Sequence, residues 1–342
     1  MKTLRKDLTM ATTQIKIWNG KIVPRIGIGT WVMGGEQYAD GKPTGWSGVD
    51  DAESLRTLHT AFDMGVRIID TADQYGAGHS EEMIARALSE THLDRDDFVL
   101  CTKVGILCDA DTGNIIGVTD KESDISAAID ASLKRLGVDQ IDLVKFHLNH
   151  HAIDQSEGVF RAFSNAFHAG KIAGFGWSND DVEGAMVYAD MEGYVAVQHD
   201  LNLFSPADDM LRACEAHGLW AFNRQPLAMG LLTGKYSKTS LGAGKNDVKG
   251  SGFDWLKYFE DDGTPSLQLL SLFDTVRDLL TSDGRSLAQG ALGWCLAKSD
   301  RAIPLPGCRT VAQAKDNFGV LEHGPLSSEI VTQIDALLTQ DS

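Results

Sequence analysis

Eight short apolar segments, each followed by a longer stretch of helical periodicity, constrain the fold of this chain most. They are rich in Val, Ile and Phe and lie at residues 25–31, 67–72, 98–104, 141–147, 172–178, 194–202, 219–224 and 302–306. Strands that alternate with helices pair in parallel, and eight such units close into a barrel. The sequence therefore predicts a (β/α)8 barrel, with one domain spanning residues 1–342 and long loops at the C-terminal face of the strands.

An open doubly wound sheet is the alternative architecture for such alternation. These sheets usually carry a glycine-rich GxGxxG turn after the first strand, where a dinucleotide phosphate meets a helix N-terminus. Here the first apolar segment runs into GIGTWVMGG at residues 27–35, which does not fit that pattern. The barrel is therefore the favoured fold.

Two segments interrupt the regular alternation. Asn19-Gly20 lies within residues 15–23, between short apolar stretches, which predicts an N-terminal β-hairpin that could plug the bottom of the barrel. Residues 237–265 form a long, polar, glycine-rich stretch with several embedded aromatic side chains. A stretch of this length is typically a lid over a binding site or a disordered insertion, and the sequence leaves both readings open.

The formal net charge of −17 limits the kinds of partner that this chain is expected to bind. An acidic surface repels nucleic-acid phosphates and anionic lipid, so neither nucleic acid nor a membrane is an expected partner. Five scattered cysteines without a CxxC pair indicate free thiols, not disulfides or a zinc site. The N-terminus lacks a long apolar run and no stretch has the length of a membrane span, so a cytoplasmic location is expected.

Ionisable side chains stand at the predicted C-terminal ends of three consecutive strands. Asp70 ends the second strand, Lys103 the third and His147 the fourth, while Tyr75 lies in the loop after Asp70. In a sequentially ordered barrel these ends are neighbours, and that face carries the active site of barrel enzymes. The four side chains therefore predict one catalytic site.

These residue types suggest roles in proton transfer. A phenol with an ordinary pKa of ~10 is a poor acid at neutral pH, but a nearby ammonium such as that of Lys103 lowers the pKa of Tyr75. Asp70 can keep Lys103 charged, and His147 can donate a hydrogen bond to a substrate oxygen. Because none of these groups supplies a hydride, the chemistry needs a bound cofactor.

Single residues of this set also have simpler explanations. Asp70 alone could cap a turn, and His147 alone could be a hydrogen-bonded core histidine. A purely structural explanation does not suit Lys103, because burying a lysine inside an apolar strand is costly unless it is paired. A metal site built from His147, His150 and His151 is not expected, since no carboxylate or cysteine lies at ligand spacing.

Six segments of the chain together resemble the aldo-keto reductase family, in particular its bacterial group with a GLLTGK cofactor loop. They are RIIDTADQYGAGHSEEMIARAL (67–88), LCTKVG (100–105), SLKRLGVDQIDLVKFH (132–147), GFGWSN (174–179), QPLAMGLLTGKY (225–236) and LPGCRTVAQAKDN (305–317). They occur in family order, and the resemblance runs from about Ile26 to Leu321. It implies the same barrel and an enzyme that interconverts an aldehyde or ketone and the corresponding alcohol, with Tyr75 as the proton donor.

The resemblance also implies which residues hold the cofactor, with NADP(H) preferred over NAD(H). Ser178, Asn179 and Gln198 would hold the nicotinamide carboxamide, and Arg309 would meet the adenosine 2′-phosphate. The remaining cofactor positions are Gly29, Thr30, Trp31, Arg224, Pro226, Leu227, Gly230, Leu231, Thr233, Lys235, Gly307, Gln313 and Asn317. Lys235 and Arg309 would supply local positive charge on an acidic protein.

The sequence departs from the family pattern before the PLA motif, after His147, and at Trp177, which stands where the family's Gly-Val-Ser-Asn segment has Val. Relatives often carry an aromatic residue and Ser before the PLA motif, where the aromatic ring stacks on the nicotinamide; here Arg224 and Gln225 precede Pro226. After His147, Asn149, His150 and His151 replace a more usual Trp-Pro-like continuation. We expect Trp31, Asn149 and His150 to line the substrate pocket, which favours a small polar or sugar-like carbonyl or alcohol substrate.

Two other functions stay open at this point. Barrels resembling this family act as accessory subunits of potassium channels, so a cofactor-sensing regulatory subunit with little turnover is one alternative. A barrel isomerase or epimerase that uses Lys103 and His147 without a nicotinamide is another. The oligomeric state is open, and an oligomer is compatible with the sequence.

Overall fold

The structure of the chain is a computed structural model that describes residues 13–240, 242–243 and 247–340. Residues 1–12 at the N-terminus lie outside the described part. So do residues 241 and 244–246 of the long polar stretch. Within the described part, no helix is both long and apolar enough to cross a membrane.

The described strands and helices alternate along most of the chain. In chain order the strands are β1 (Gln14–Lys16), β2 (Ile22–Pro24), β3 (Gly27–Gly29), β4 (Tyr38–Ala39), β5 (Lys42–Pro43), β6 (Ile68–Asp70), β7 (Val99–Val104), β8 (Ile106–Cys108), β9 (Ile115–Val118), β10 (Leu143–Phe146), β11 (Phe175–Ser178), β12 (Tyr194–Asp200), β13 (Trp220–Arg224) and β14 (Ala302–Pro304). The α-helices are α1 (Asp51–Asp63), α2 (His79–Glu90), α3 (Glu122–Leu136), α4 (Glu157–His168), α5 (Val182–Met186), α6 (Asp208–Ala216), α7 (Leu267–Leu280), α8 (Leu287–Lys298), α9 (Val311–Phe318), α10 (Val320–His323) and α11 (Ser328–Gln340).

Eight of these strands form one parallel sheet that nearly closes on itself. Its order is β3, β6, β7, β10, β11, β12, β13 and β14, and every neighbouring pair is parallel. A parallel bridge between Gly29 and Gly307 joins the first and last strands. This is the predicted (β/α)8 barrel, so the doubly wound alternative is wrong.

The barrel interior follows from the alternation of side chains along each strand, which point in turn to opposite faces of the sheet. Ile68 of β6, Cys101 of β7 and Leu143 of β10 pack inside the barrel, whereas their neighbours Ile69 and Val144 pack in the cluster beneath the helices. Two residues further along each of these three strands, the inward series continues with polar side chains. The C-terminal end of the strands is therefore the polar end of an otherwise apolar interior.

The predicted N-terminal hairpin is present and closes the bottom of the barrel. β1 and β2 pair antiparallel, and Gly20 has a φ of 86° in the connecting turn, a left-handed conformation that favours glycine. Ile17 and Val23, which are 4% and 1% exposed, pack with the apolar residues of the barrel interior. The interior is therefore covered from below.

Several local details differ from the sequence prediction. The first strand is shorter than residues 25–31, because Trp31–Met33 forms a 3-10 turn at the barrel mouth. Strands β8 and β9 form a hairpin that the sequence alone does not reveal, because both segments are short. Helix α11 was not predicted either, although its apolar residues Ile330, Ile334 and Leu338 recur at helical spacing.

The described part of the long polar stretch packs over the barrel mouth. The Trp255 ring lies 6.0 Å from the Trp31 ring, and Val248 N donates to the Gly45 carbonyl at 3.2 Å. Tyr258 and Phe259 are buried, at 1% and 7% exposure. These contacts favour a cover over the site for residues 247–265.

The N-caps of α7 and α8 offer a paired test of local helix stabilisation. Ser286 accepts from Gln289 N at 3.1 Å in a capping box, whereas Ser266, at the same position of α7, makes no side-chain cap bond. Ser286→Ala should lower the free energy of unfolding by about 1 kcal/mol, because an orphan N–H loses its acceptor. Ser266→Ala should change it by less than ~0.5 kcal/mol. Urea unfolding followed by circular dichroism measures both, and equal losses would contradict the assignment.

Candidate active site

Three neighbouring strands deliver the predicted catalytic side chains to one point. Asp70 ends β6, and Lys103 on β7 lies opposite Lys145 on β10 in the parallel register. His147 directly follows β10, and Tyr75 lies in the turn between β6 and α2. Because inward positions recur every second residue, these strands direct Asp70, Lys103 and Lys145 into the same polar layer.

Lys103 links the catalytic carboxylate to the phenol. Its Nζ donates to Asp70 Oδ2 at 2.8 Å, to the Thr71 carbonyl at 2.6 Å and to Tyr75 Oη at 3.1 Å. The side chain is 2% exposed, so its ammonium depends on these partners for stabilisation. Three donors and three acceptors match, which fixes the ammonium beneath the phenol oxygen.

Lys145 also contacts Asp70, and the sequence prediction missed it. Its Nζ donates to Asp70 Oδ1, and the side chain is fully buried. The signal was available, because Lys145 stands two residues before His147 and shares its inward face. Like Lys103, Lys145 is a lysine inside an apolar strand, and its burial is costly unless it is paired.

The Asp70 carboxylate is charged because two cations surround it. Burial acts to raise the pKa of Asp70, but the positive charges of Lys103 and Lys145 outweigh burial and lower that pKa to about 2. Gln198 Nε2 adds a third donor, 3.1 Å from Oδ2. Asp70 therefore stays ionised over the whole physiological range of pH.

Tyr75 and His147 are adjacent at the mouth of the barrel. Their ring centroids lie 5.9 Å apart, and the Tyr75 ring stacks on Trp31 at 6.3 Å. Burial, and then the charge of Asp70, raise the pKa of Tyr75, so the lowering expected from Lys103 is wrong and the phenol is protonated at neutral pH. Burial, and then the charge of Lys103, hold the pKa of His147 well below its usual value, so the imidazole is neutral. A neutral imidazole keeps one N–H donor for a substrate oxygen.

Ser178, Asn179 and Gln198 lie together, as the resemblance implies. Ser178 on β11 is directly opposite Gln198 on β12, and Asn179 N donates to the Gln198 carbonyl at 2.9 Å. Gln198 is 1% exposed and donates its amide N–H to Asp70, while its Oε1 has no hydrogen-bond partner among the described residues. A buried unpartnered acceptor is costly, and a carboxamide N–H donor would satisfy it.

Arg224 is held by two carboxylates beside this group. Its guanidinium contacts Asp180 and lies 2.9 Å from Asp200 Oδ1 through Nε. It also reaches Ser178 Oγ at 3.2 Å. Asp200 is directly opposite Arg224 in the register of β12 and β13. The two carboxylates more than offset the positive charge that Arg224 brings to this side of the mouth, which the sequence analysis did not foresee.

A cluster of cations forms a second part of the site. Partial burial, and then the positive charge of Lys249, lower the pKa of Lys235 to about 8, with Arg309 acting in the same direction and Asp247 against it. Lys249 lies 4.4 Å above the Trp46 ring and pairs with Asp247 at 3.2 Å. Lys249 comes from the long polar stretch and was not predicted. Cations that depress one another's affinity for protons form a favourable site for an anion.

Arg309 lies next to this cluster and bonds to main chain. Its guanidinium donates to the carbonyls of Ser47 and Gly48 at 2.6 and 3.1 Å. Among the described residues Arg309 makes no ion pair with a carboxylate. Gln313 Oε1 accepts from Arg309 N at 2.8 Å, and Asn317 donates to Cys308 Sγ at 3.3 Å.

The other predicted cofactor positions line the same rim. Leu227 and Leu231 are buried in the core, as is Thr30, whose hydroxyl donates to the Asp70 carbonyl at 3.1 Å. Gly29 and Gly307 form the closing bridge, and Thr233 Oγ1 donates to the Gly230 carbonyl at 2.8 Å. Pro226 is buried at the start of this loop.

The mouth around Tyr75 has an aromatic side and a polar side. Trp31 contacts the rings of Trp46 and Trp255 at 5.4 and 6.0 Å. On the polar side, Asn149 is exposed and donates to Asp180 at 2.7 Å, and His150 is exposed in a left-handed conformation with φ of 58°. No group of three or more side chains suited to a metal ion occurs among the described residues.

Comparison with known proteins settles the family. A model of the aldo/keto reductase family matches residues 25–339. The chain belongs to the aldo/keto reductase family. Aldo-keto reductase yakc of Schizosaccharomyces pombe, whose name includes NADP(+), is 29% identical over 279 residues, covering 80% of this chain and 78% of the relative.

Two further relatives of this aldo/keto reductase span nearly its whole length. The structure of the glycerol dehydrogenase AKR11B4 from Gluconobacter oxydans superposes with a TM-score of 0.79 and 28% identity, covering 97% of this chain and 96% of that one. A probable voltage-gated potassium channel subunit beta of Oryza sativa subsp. japonica is 27% identical and covers 94% of both chains. The family therefore includes proteins named as enzymes and proteins named as channel subunits.

The two ammonium groups around Asp70 make its charge essential to the fold. Asp70→Asn should lower the free energy of unfolding by about 3–5 kcal/mol, because Lys103 and Lys145 would then be buried next to each other without a counter-charge. Adding Lys145→Met to that variant should recover at least ~1 kcal/mol, since one of the two repelling charges is removed. Urea unfolding measures all three proteins. A cost of Asp70→Asn below about 1 kcal/mol would show that the cluster is not electrostatically coupled in this way.

Proposed function

We propose that this aldo/keto reductase is an NADP(H)-dependent oxidoreductase that interconverts an aldehyde or ketone and the corresponding alcohol. The observation that carries the proposal is the Lys103 ammonium, which is bonded to both the Asp70 carboxylate and the Tyr75 phenol. The names of two relatives support it, one with NADP(+) and one a glycerol dehydrogenase. The single-domain organisation over residues 1–342 and the cytoplasmic location are part of the same proposal.

The residues at the mouth fit a nicotinamide dinucleotide phosphate. The unpartnered Gln198 Oε1, with Ser178 and Asn179 beside it, suits the carboxamide of the nicotinamide. The cations Lys235, Lys249 and Arg309 suit the phosphates and offer positive charge on an otherwise acidic chain. When bound, this cofactor supplies the hydride for reduction of the carbonyl carbon and accepts it in the reverse reaction.

The chain's own residues would manage the proton and orient the substrate. Tyr75 Oη donates its proton to the carbonyl oxygen as negative charge develops there, and Lys103 stabilises the phenolate that remains. Asp70 keeps Lys103 charged and aimed, and neutral His147 donates a hydrogen bond to the same substrate oxygen. In alcohol oxidation the same groups act in reverse, with the Tyr75 phenolate as base.

The two sides of the mouth favour a hydroxylated substrate. The Trp31 and Trp255 rings offer a flat apolar surface for the C–H groups of a small polyol or sugar. Asn149 and the charged pair of Asp180 and Arg224 offer hydrogen-bond partners for its hydroxyl groups. This mixture of surfaces is typical of sites that bind polar ligands in a defined orientation.

The regulatory alternative has one observation in its favour, the channel subunit from rice among the relatives. The complete hydrogen-bonded set of Asp70, Lys103 and Tyr75 favours turnover instead. An isomerase or epimerase without a nicotinamide would leave the cation cluster around Arg309 without a purpose. Steady-state assays with NADPH and a panel of aldehydes separate these cases, because tight NADPH binding without turnover would favour the regulatory function.

Tyr75→Phe tests the proton donor. The variant removes one oxygen, so turnover of aldehyde with NADPH should fall by about 10²–10⁴-fold while the Kd for NADPH stays within about twofold of the parent value. Tyr188→Phe is the matched control, because that hydroxyl contacts Ser156 in the helix layer and should leave turnover unchanged. Undiminished turnover of Tyr75→Phe would refute its role.

Arg309→Gln tests the choice between NADP(H) and NAD(H). Loss of a charge-assisted contact to the 2′-phosphate should weaken NADPH binding by about 10-fold or more and NADH binding by less than ~3-fold. Quenching of tryptophan fluorescence measures both Kd values. Arg212→Gln, on the exposed face of α6, is the control and should change neither. Equal weakening of both cofactors would mean that Arg309 does not meet the 2′-phosphate.

A further inference from the structure

Two lysines face each other across neighbouring strands in the barrel interior. Lys145 on β10 and Lys103 on β7 are partners in the parallel register, and they are 0% and 2% exposed. Like charges directly opposite on one face of a sheet repel, and burial strengthens the repulsion. The Asp70 carboxylate lies between them and takes one ammonium on each oxygen.

Lys145 has little to bind besides Asp70. Among the described residues its only hydrogen-bond acceptor is Asp70 Oδ1, and its Nζ lies 4.9 Å from the centre of the Phe222 ring in the barrel interior. Burial lowers the pKa of Lys145 below its usual value, although the charge of Asp70 acts to raise it. Since the side chain has no exposed surface, it cannot meet a substrate. Any effect on the reaction must pass through Asp70 and its neighbours.

The charges of Lys103, Lys145 and Asp70 decide which form of Tyr75 leaves the whole cluster electrically neutral. With Lys145 charged, the two ammonium groups exceed the one carboxylate by a single positive charge. Ionisation of Tyr75 to the phenolate then brings the cluster to neutrality. With an uncharged side chain at position 145, the charges of Lys103 and Asp70 would already cancel. The cluster would then be neutral with the Tyr75 phenol protonated.

We infer that Lys145 is a positioning residue whose positive charge, held at Asp70, favours the Tyr75 phenolate, the form that acts as the base in alcohol oxidation. This inference rests on the proposed function and adds to it the group that sets the pH range in which oxidation proceeds. In oxidation, the substrate O–H proton passes to the Tyr75 phenolate oxygen. The electron pair of the carbinol C–H bond leaves as hydride to NADP⁺, and the carbonyl double bond forms.

Other charged groups also act on Tyr75 and Lys145 and set the background for this effect. Burial and the charges of Asp70 and Asp73 raise the pKa of Tyr75, whereas Lys145 and Arg224 lower it. The remaining groups that face the pair are Lys103, the neutral His147 and the Cys101 thiol. Loss of Lys145 should therefore move the ionisation of Tyr75 to higher pH.

The test compares the parent with Lys145→Met and Lys145→Gln. The first removes charge and donor, and the second keeps a donor for Asp70 without the charge. In both, the rise of kcat/KM with pH for glycerol oxidation by NADP⁺ should move to higher pH by about one unit. The Kd for NADP⁺, from tryptophan fluorescence, should stay within about twofold of the parent value.

A second readout needs no turnover. The ultraviolet absorbance of tyrosinate in the NADP⁺ complex, taken as the difference between each protein and its Tyr75→Phe counterpart, should appear at higher pH without Lys145. Phe222→Leu is the control: it removes the ring near Lys145 without changing charge, so its pH profile should match that of the parent.

The outcomes separate this inference from the proposed function. A parent that neither oxidises glycerol nor reduces DL-glyceraldehyde contradicts the proposed substrate class, and the absorbance titration then decides on Lys145 by itself. An unshifted titration and an unshifted pH profile in either folded variant would overturn the inference. Failure of both variants to fold would also overturn it, because Lys145 would then be a structural residue.

Discussion

The catalytic face of this protein depends on one carboxylate shared between two buried ammonium groups. Asp70 is the counter-charge for Lys103 and for Lys145, and it also accepts from Gln198. Through Lys103 it reaches the Tyr75 phenol, and through Gln198 it reaches the group that suits a nicotinamide. Under the proposed function, a single side chain therefore connects proton transfer, cofactor binding and the stability of the barrel interior. A change in the charge of Asp70 would therefore affect proton transfer, cofactor binding and stability together.

The parallel register explains how these contacts are achieved. Lys103 lies opposite Lys145, Ser178 opposite Gln198, and Asp200 opposite Arg224. These three pairs are thus brought together by strand pairing, which is rigid, and not by loop conformation. The loops then add what the strands cannot, namely Tyr75 from the turn after β6 and Lys249 from the long polar stretch. A precise interior with adaptable loops is the usual arrangement in barrel enzymes.

The barrel fold could be predicted from the sequence, because eight apolar segments that alternate with helical stretches indicate its strands directly. The four residues Asp70, Tyr75, Lys103 and His147 were predicted from their places at strand ends and from a family resemblance, and the structure brings them together. Lys145 was not predicted, although alternation along its strand places it on the same face as His147 two residues later.

Other features needed the structure. One of the two acids that hold Arg224, Asp200, ends β12, whereas the other, Asp180, lies in the loop after β11, and only the structure shows that they converge. Lys249 approaches Lys235 and Arg309 because a long irregular segment folds back over the mouth, and no local sequence pattern encodes such a path.

Neutron diffraction from a deuterated crystal tests the central claim most directly, because it locates the protons of the cluster. The account predicts three deuterons on Lys103 Nζ, one of them directed at Tyr75 Oη, and none on the carboxylate of Asp70. A deuteron on Asp70 together with a neutral Lys103 would contradict it, since the phenol would then have no cation to stabilise its ionised form.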